Sequence, residues 1–104
     1  PDPRCILTTI GGHFGAGGTG CQLEIDHKDG RYSKTDYSVE DFQILSKQAN
    51  DIKRQRCKEC RASGCRFDAR TMGFSKGWLT GDASSNTCEG CFWYDIAKFR
   101  GDCY

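Results

Sequence analysis

No apolar run in the chain approaches the ~20 residues that a membrane-spanning helix needs, and no segment joins basic residues, an apolar stretch and a small-residue cleavage site as a signal peptide does. Local signatures of common hydrolases are missing too. There is no H-E-x-x-H and no G-x-S-x-G elbow, and His13 and His27 are the only imidazoles available for proton transfer. No internal repeat or linker composition divides the chain, so 1–104 reads as one domain. Apolar residues are scarce as well: they make up 37%, and mean hydropathy is −0.67. A core built from them is a weak source of stability, and cross-links that restrict the unfolded chain are a natural supplement.

Cysteine is what the chain has in excess. Eight occur in 104 residues, at Cys5, Cys21, Cys57, Cys60, Cys65, Cys88, Cys91 and Cys103. An even number at this density predicts a framework of four disulfides and an oxidising compartment, hence secretion. Pro1 in place of an initiating Met suits a mature form after signal removal. The competing reading is metal. Cys57-x-x-Cys60 and Cys88-x-x-Cys91 are paired knuckles able to offer four thiolates to tetrahedral zinc. Against it stand an interval of 27 residues between the knuckles, where ~15–20 is usual, and the four cysteines left over. Disulfides are therefore the expectation, with Cys5 or Cys21 reaching the C-terminal segment and each C-x-x-C sending its sulfurs to different partners. No metal and no cofactor are expected.

Charge is unevenly placed. Residues 53–70 hold seven basic side chains against two acidic ones, in a chain whose formal net charge is +1. Lys53, Arg54, Arg56, Lys58 and Arg61 are the candidate partner-binding face, able to hold an anionic surface. They also suit the C-terminal end of a helix, where the dipole favours cations.

The order of elements follows from pattern. Residues 5–10 are apolar and β-branched and predict a first strand. Residues 21–26 alternate, which predicts a half-buried antiparallel strand with Cys21, Leu23 and Ile25 on one face and Gln22, Glu24 and Asp26 on the other. Between them, residues 15–20 match G-x-G-x-x-G, but a strand follows where the dinucleotide fingerprint requires a helix, so the segment reads as a loop. Asp29-Gly30 signals a turn, with a short return strand at 31–33. Ser38 with Asp41, followed by Val39, Phe42, Leu45, Ala49 and Ile52 as one apolar stripe, predicts an amphipathic helix over about 38–56. Further strands are expected at 65–69 and around 77–80, and the aromatic run 91–99 is expected to be the central strand. The fold class is α+β: a small twisted antiparallel sheet or partial β-barrel with one helix packed on it, stapled by disulfides.

No catalytic residues are assigned. The main enzymatic alternative is a secreted ribonuclease-like enzyme or RNA-binding toxin that uses His13, His27 and Glu24 with Arg66 or Arg70; a zinc-binding nucleic-acid module is the other alternative. Arg100-Gly101-Asp102 is a three-residue adhesion-type match with no supporting context.

Length, the eight cysteines, the Pro1 start, the glycine-rich first hairpin and the aromatic, cysteine-closed C-terminus together resemble the small secreted cysteine-rich proteins of filamentous fungi, many of which act as effectors or elicitors on plants. The resemblance implies a non-enzymatic interaction protein, extracellular, without cofactor. It would act on host defence by binding a host protein or cell-wall component, with dimerisation in some members and nucleic acid not expected as a partner.

Overall fold

The computed structural model describes residues 3–14, 21–30 and 35–102. It is α+β. Strands β1 (Gly12–Phe14), β2 (Cys21–His27) and β3 (Phe42–Ser46) form a sheet in the order β1-β2-β3, followed by helices α1 (Lys47–Ser63) and α2 (Ile96–Asp102). The sheet is mixed: β1 runs parallel to β2, with Gly12 opposite Cys21 and Phe14 opposite Leu23, whereas β2 and β3 are antiparallel from Leu23–Ser46 to His27–Phe42. Two short 3₁₀ turns, Val39–Asp41 and Ala69–Met72, join the larger pieces.

The helix begins nine residues later than the periodicity predicts. Two serines compete to start it. Ser38 does make a capping turn, its N–H donating to Asp41 Oδ2 at 2.8 Å, but only one 3₁₀ turn follows. Residues 42–46 are instead drawn into the ladder with β2, where an aromatic and a β-branched residue sit well on a pleated surface. The working cap is Ser46, which lies in extended backbone and accepts the Ala49 N–H at 3.1 Å. At the far end Gly64, at φ 75°, closes α1 by donating its N–H to Cys60 O at 2.9 Å. Val39, expected on the apolar stripe, is 82% exposed.

The C-terminal half departs further from expectation. Phe92 and Trp93 lie in turns and Ile96 and Phe99 on α2, so the run 91–99 is no strand. Its aromatics are core all the same. Phe92 is fully buried, with its ring centroid 5.1 Å from Trp93 and 5.5 Å from Phe99, and Phe74 closes the cluster at 5.2 Å from Phe99. Leu23, Leu45 and Ala49 join these rings to the sheet and α1. The expected strand at 5–10 is reduced to a single bridge between Arg4 and Gly11. Residues 65–69 and 77–80 contain no strand, and both the return strand at 31–33 and the 15–20 fingerprint lie outside the described residues.

Arg66 organises the long loop that follows α1. Its guanidinium donates to the carbonyl oxygens of Thr80, Asp82 and Glu89 at 3.0, 3.1 and 2.6 Å, and the residue is 5% exposed. Within that loop Gly90 stands at φ 89°, and a Cβ there would lie 2.6 Å from Thr80 N and 2.8 Å from Thr80 O. Only glycine allows the chain to turn and approach in this way.

The disulfide framework is not present among the described residues. No disulfide joins the described cysteines, Cys5, Cys21, Cys57, Cys60, Cys65, Cys88 and Cys91, and Cys103 lies outside the described residues. Packing around the aromatic cluster and the polar network described next joins the described parts without disulfides. No described helix is long and apolar enough to cross a membrane.

Candidate active site

Residues facing one another across the β2–β3 ladder share a face of the sheet, so Glu24 and Asp26 lie on the same side as Leu45 and Gln43. Both sides of β2 are partly covered: Leu23 is 2% exposed, as the expected alternation requires, but the end of the strand reverses it, with Asp26 9% and Ile25 57% exposed. A carboxylate can be buried there because it is met by donors: Lys53 Nζ at 2.5 Å and Gln43 Nε2 at 3.0 Å, both on Oδ2.

Lys53 comes from α1 and spends all its donors in this corner. Besides Asp26 it reaches the carbonyl oxygens of His27 at 2.7 Å and Lys28 at 3.0 Å. The end of β2, with His27 on it, is therefore tied to the helix. The exposed His27 ring is flanked by Tyr37 at 4.9 Å and Phe42 at 4.7 Å between centroids. One turn before Lys53, Asn50 donates from Nδ2 to Glu24 Oε1 at 2.7 Å, while its Oδ1 is buried without a partner. An orphaned buried oxygen is costly unless something fills the position.

These groups open into one cleft of about 240 Å³ between the end of β2 and α1, lined by Asp26, His27, Asn50, Lys53, Arg54 and Arg61 among others. The helical contributors, at 50, 53, 54, 57 and 61, recur at the three- and four-residue steps that put side chains on one helix face. Arg54 is well exposed and balances Asp51 at 3.1 Å and Glu24 at 3.7 Å; Arg61 donates to Gly30 O at 2.7 Å.

Of the five basic residues singled out from sequence, Lys53, Arg54 and Arg61 line this cleft. Arg56 pairs with Glu59 at 2.9 Å, and Lys58 lines neither the cleft nor the cavity behind it. The other histidine is not brought near. His13 pairs with Gln22, five residues along β2 from His27, roughly 16 Å at the rise of a strand. Arg66 is committed to the loop carbonyls. Arg70 is committed to Asp68 and to the face of Trp78 at 5.5 Å. Arg100 lies on a helix and donates to the carbonyls of Ile6 and Leu7, so the Arg-Gly-Asp match is not an exposed loop.

Asp26 and Asn50 were not read as site residues from sequence. The signals are an acid–histidine pair closing a strand, and an asparagine three residues before a lysine inside a helix face that ought to be apolar.

Behind the cleft, Cys57, Cys60, Cys88 and Cys91 line a cavity of about 30 Å³. Burial pushes the Cys57 thiol up to about 11, against the pull of the Lys53 charge and with the help of Cys91. Burial raises Cys91 likewise, opposed by the Trp93 N–H and the Arg66 charge.

The family model of the ICEA protein matches residues 2–104. The chain belongs to the ICEA family. It is 35% identical over 107 aligned positions to the type II restriction enzyme NlaIII of Neisseria lactamica, a match that takes in 93% of this chain and 45% of that enzyme. The ICEA chain thus spans a little under half the length of that relative. No solved structure matches it.

These matches correct the functional expectation. The chain is not one of the fungal effector or elicitor proteins, and a host-defence target has no support; its likeness is to a restriction enzyme. The expectation that nucleic acid is not a partner is overturned by the same likeness. An even cysteine count does not by itself mean a disulfide framework: four of the described cysteines, Cys57, Cys60, Cys88 and Cys91, line one cavity without a disulfide between them.

Proposed function

We propose that the cleft between β2 and α1 hydrolyses phosphodiester bonds of DNA. The observation that carries this reading is the convergence of Asp26, His27, Asn50, Lys53, Arg54 and Arg61 on one polar cleft; the likeness to a restriction enzyme supports DNA as the substrate.

His27 takes the proton from the attacking water. It lines the cleft, its backbone carbonyl is held by Lys53, and its ring lies between Tyr37 and Phe42. Arg54 and Arg61 meet the phosphate with planar forks of donors, which suit bidentate contact with its oxygens. The Arg54–Asp51 pairing is an exposed contact that a phosphate can displace.

The Asp26 carboxylate and the orphaned Asn50 Oδ1 are hard oxygen donors from adjacent elements, a set that fits a small divalent cation such as Mg²⁺. Such a cation, when bound, supplies charge stabilisation at the phosphoryl oxygens. Both Lys53 and Gln43 bond Oδ2 of Asp26, which directs Oδ1 to this use.

Incubating the chain with plasmid DNA, with and without Mg²⁺, tests the reading. Nicked or linear product that requires Mg²⁺ is expected. Intact plasmid alongside measurable DNA binding would overturn it, leaving this chain as a DNA-binding portion of a longer enzyme.

A further inference from the structure

We propose that Cys57, Cys60, Cys88 and Cys91 form a structural zinc site that fastens the C-terminal part of α1 to the 88–91 turn. Two C-x-x-C pairs from opposite ends of a 27-residue interval have no reason of sequence proximity to meet, yet all four side chains line one cavity of about 30 Å³. That is room for a single small atom or ion. Other cysteines, Cys5, Cys21 and Cys65, do not line it.

Cys57 and Cys60 lie one helical turn apart near the end of α1, and Cys88 and Cys91 are joined by a tight turn. Cys60 is the residue whose carbonyl receives the Gly64 N–H at the end of α1, and the Cys91 N–H donates to Cys88 O at 3.0 Å. The left-handed Gly90 between Cys88 and Cys91 is what the tight approach to Thr80 requires. Gly30 seals the cavity from the cleft side, where a Cβ would lie 2.5 Å from Cys57 Sγ.

A second observation points to a charged occupant. Arg66 Nε and Trp93 Nε1 are buried N–H donors without a partner, and both residues line the same cavity. An apolar void leaves those donors wasted, whereas four thiolates around a dication carry net negative charge and accept N–H donors in their outer shell. Arg66 also brings a buried positive charge to balance it. Cys₄ sets of this kind are closed tetrahedra with Zn–S near ~2.3 Å and no open position, so the role is structural. Among the described residues no three ligands are yet drawn tightly enough to hold an ion; binding pulls the sulfurs inward to that distance and closes the long loop between the knuckles.

Elemental analysis of the purified chain, followed by exchange of its metal for Co²⁺, tests the proposal independently of any cleavage activity. The expected result is about one zinc per chain and, with Co²⁺, intense near-ultraviolet thiolate-to-cobalt bands together with the visible bands of a tetrahedral ion. Paired substitution Cys88→Ser with Cys91→Ser should abolish stoichiometric metal, while Cys21→Ser with Cys65→Ser should retain it. If the first pair prevents folding, the cobalt spectrum of the wild-type chain decides. Absence of thiolate bands in the wild type, or zinc retained after the 88/91 substitutions, would overturn the site.

Discussion

Lys53 Nζ lies 2.5 Å from Asp26 Oδ2, with 3% and 11% of the two side chains exposed. This contact joins α1 to the end of β2 and fixes the floor of the cleft. Removing one partner strands the other in a site with little water. Lys53→Met should cost ~3–5 kcal/mol of stability, measured by urea denaturation, and Lys53→Met with Asp26→Asn should recover part of that loss. A Lys53→Met chain as stable as the wild type would mean that the pair does not hold the floor.

The basic residues of α1 should divide by position. Arg54 lines the cleft and Lys58 does not. Removing a side chain that neutralises one phosphate lowers the salt dependence of DNA binding by about one unit of slope. Arg54→Ala is expected to weaken binding and flatten the salt slope, while Lys58→Ala should alter both far less. Binding titrations at several salt concentrations read the difference.

Helix initiation can be assigned by capping serine. Ser46→Ala should cost ~1 kcal/mol, as loss of a working N-cap does. Ser38→Ala should cost less, since only a 3₁₀ turn depends on it. Equal losses, or a larger one at Ser38, would favour a helix starting at 38.

Acid should act through Asp95. Burial works to raise this carboxyl, but the hydrogen bond from Lys28 at 2.8 Å, the Lys98 N–H and the two lysine charges outweigh it and hold it below its usual value. A depressed carboxyl contributes stability that is fully present above its unfolded value of ~3.9 and is lost as pH falls through the lower folded value. In acid titrations followed by circular dichroism, Asp95→Asn should flatten the stability curve below about pH 4 relative to the wild type.

The α+β class, a strand at 21–26 (Cys21–His27 in the structure) and the existence of a basic amphipathic helix could be read from local pattern. The boundary of that helix could not. Phe42, Leu45 and Ala49 fit a three-and-four spacing, but the pairing of 42–46 with β2 is a tertiary contact that no window of sequence contains. The same holds for Phe92, Trp93 and Phe99, whose apolar character signalled core correctly and strand wrongly. At the site, His27 and three of the basic residues were visible. Asp26 and Asn50 were hidden because a carboxylate on a strand and an asparagine on a helix usually face water, and only the fold shows both turned inward. The cysteines were read as a framework since connectivity and coordination both need coordinates; the paired knuckles were present in the pattern, and the cavity brings them together.

Proton transfer by His27 in a DNA-cleaving cleft is the centre of the proposed chemistry. Single-turnover cleavage of one DNA substrate by the wild type and by His27→Ala, in the same Mg²⁺ buffer and at saturating protein, tests it most directly. A drop of ~10²–10⁴-fold in rate with DNA affinity unchanged is predicted, the range general-base removal typically gives. Equal rates for the two proteins would contradict that role.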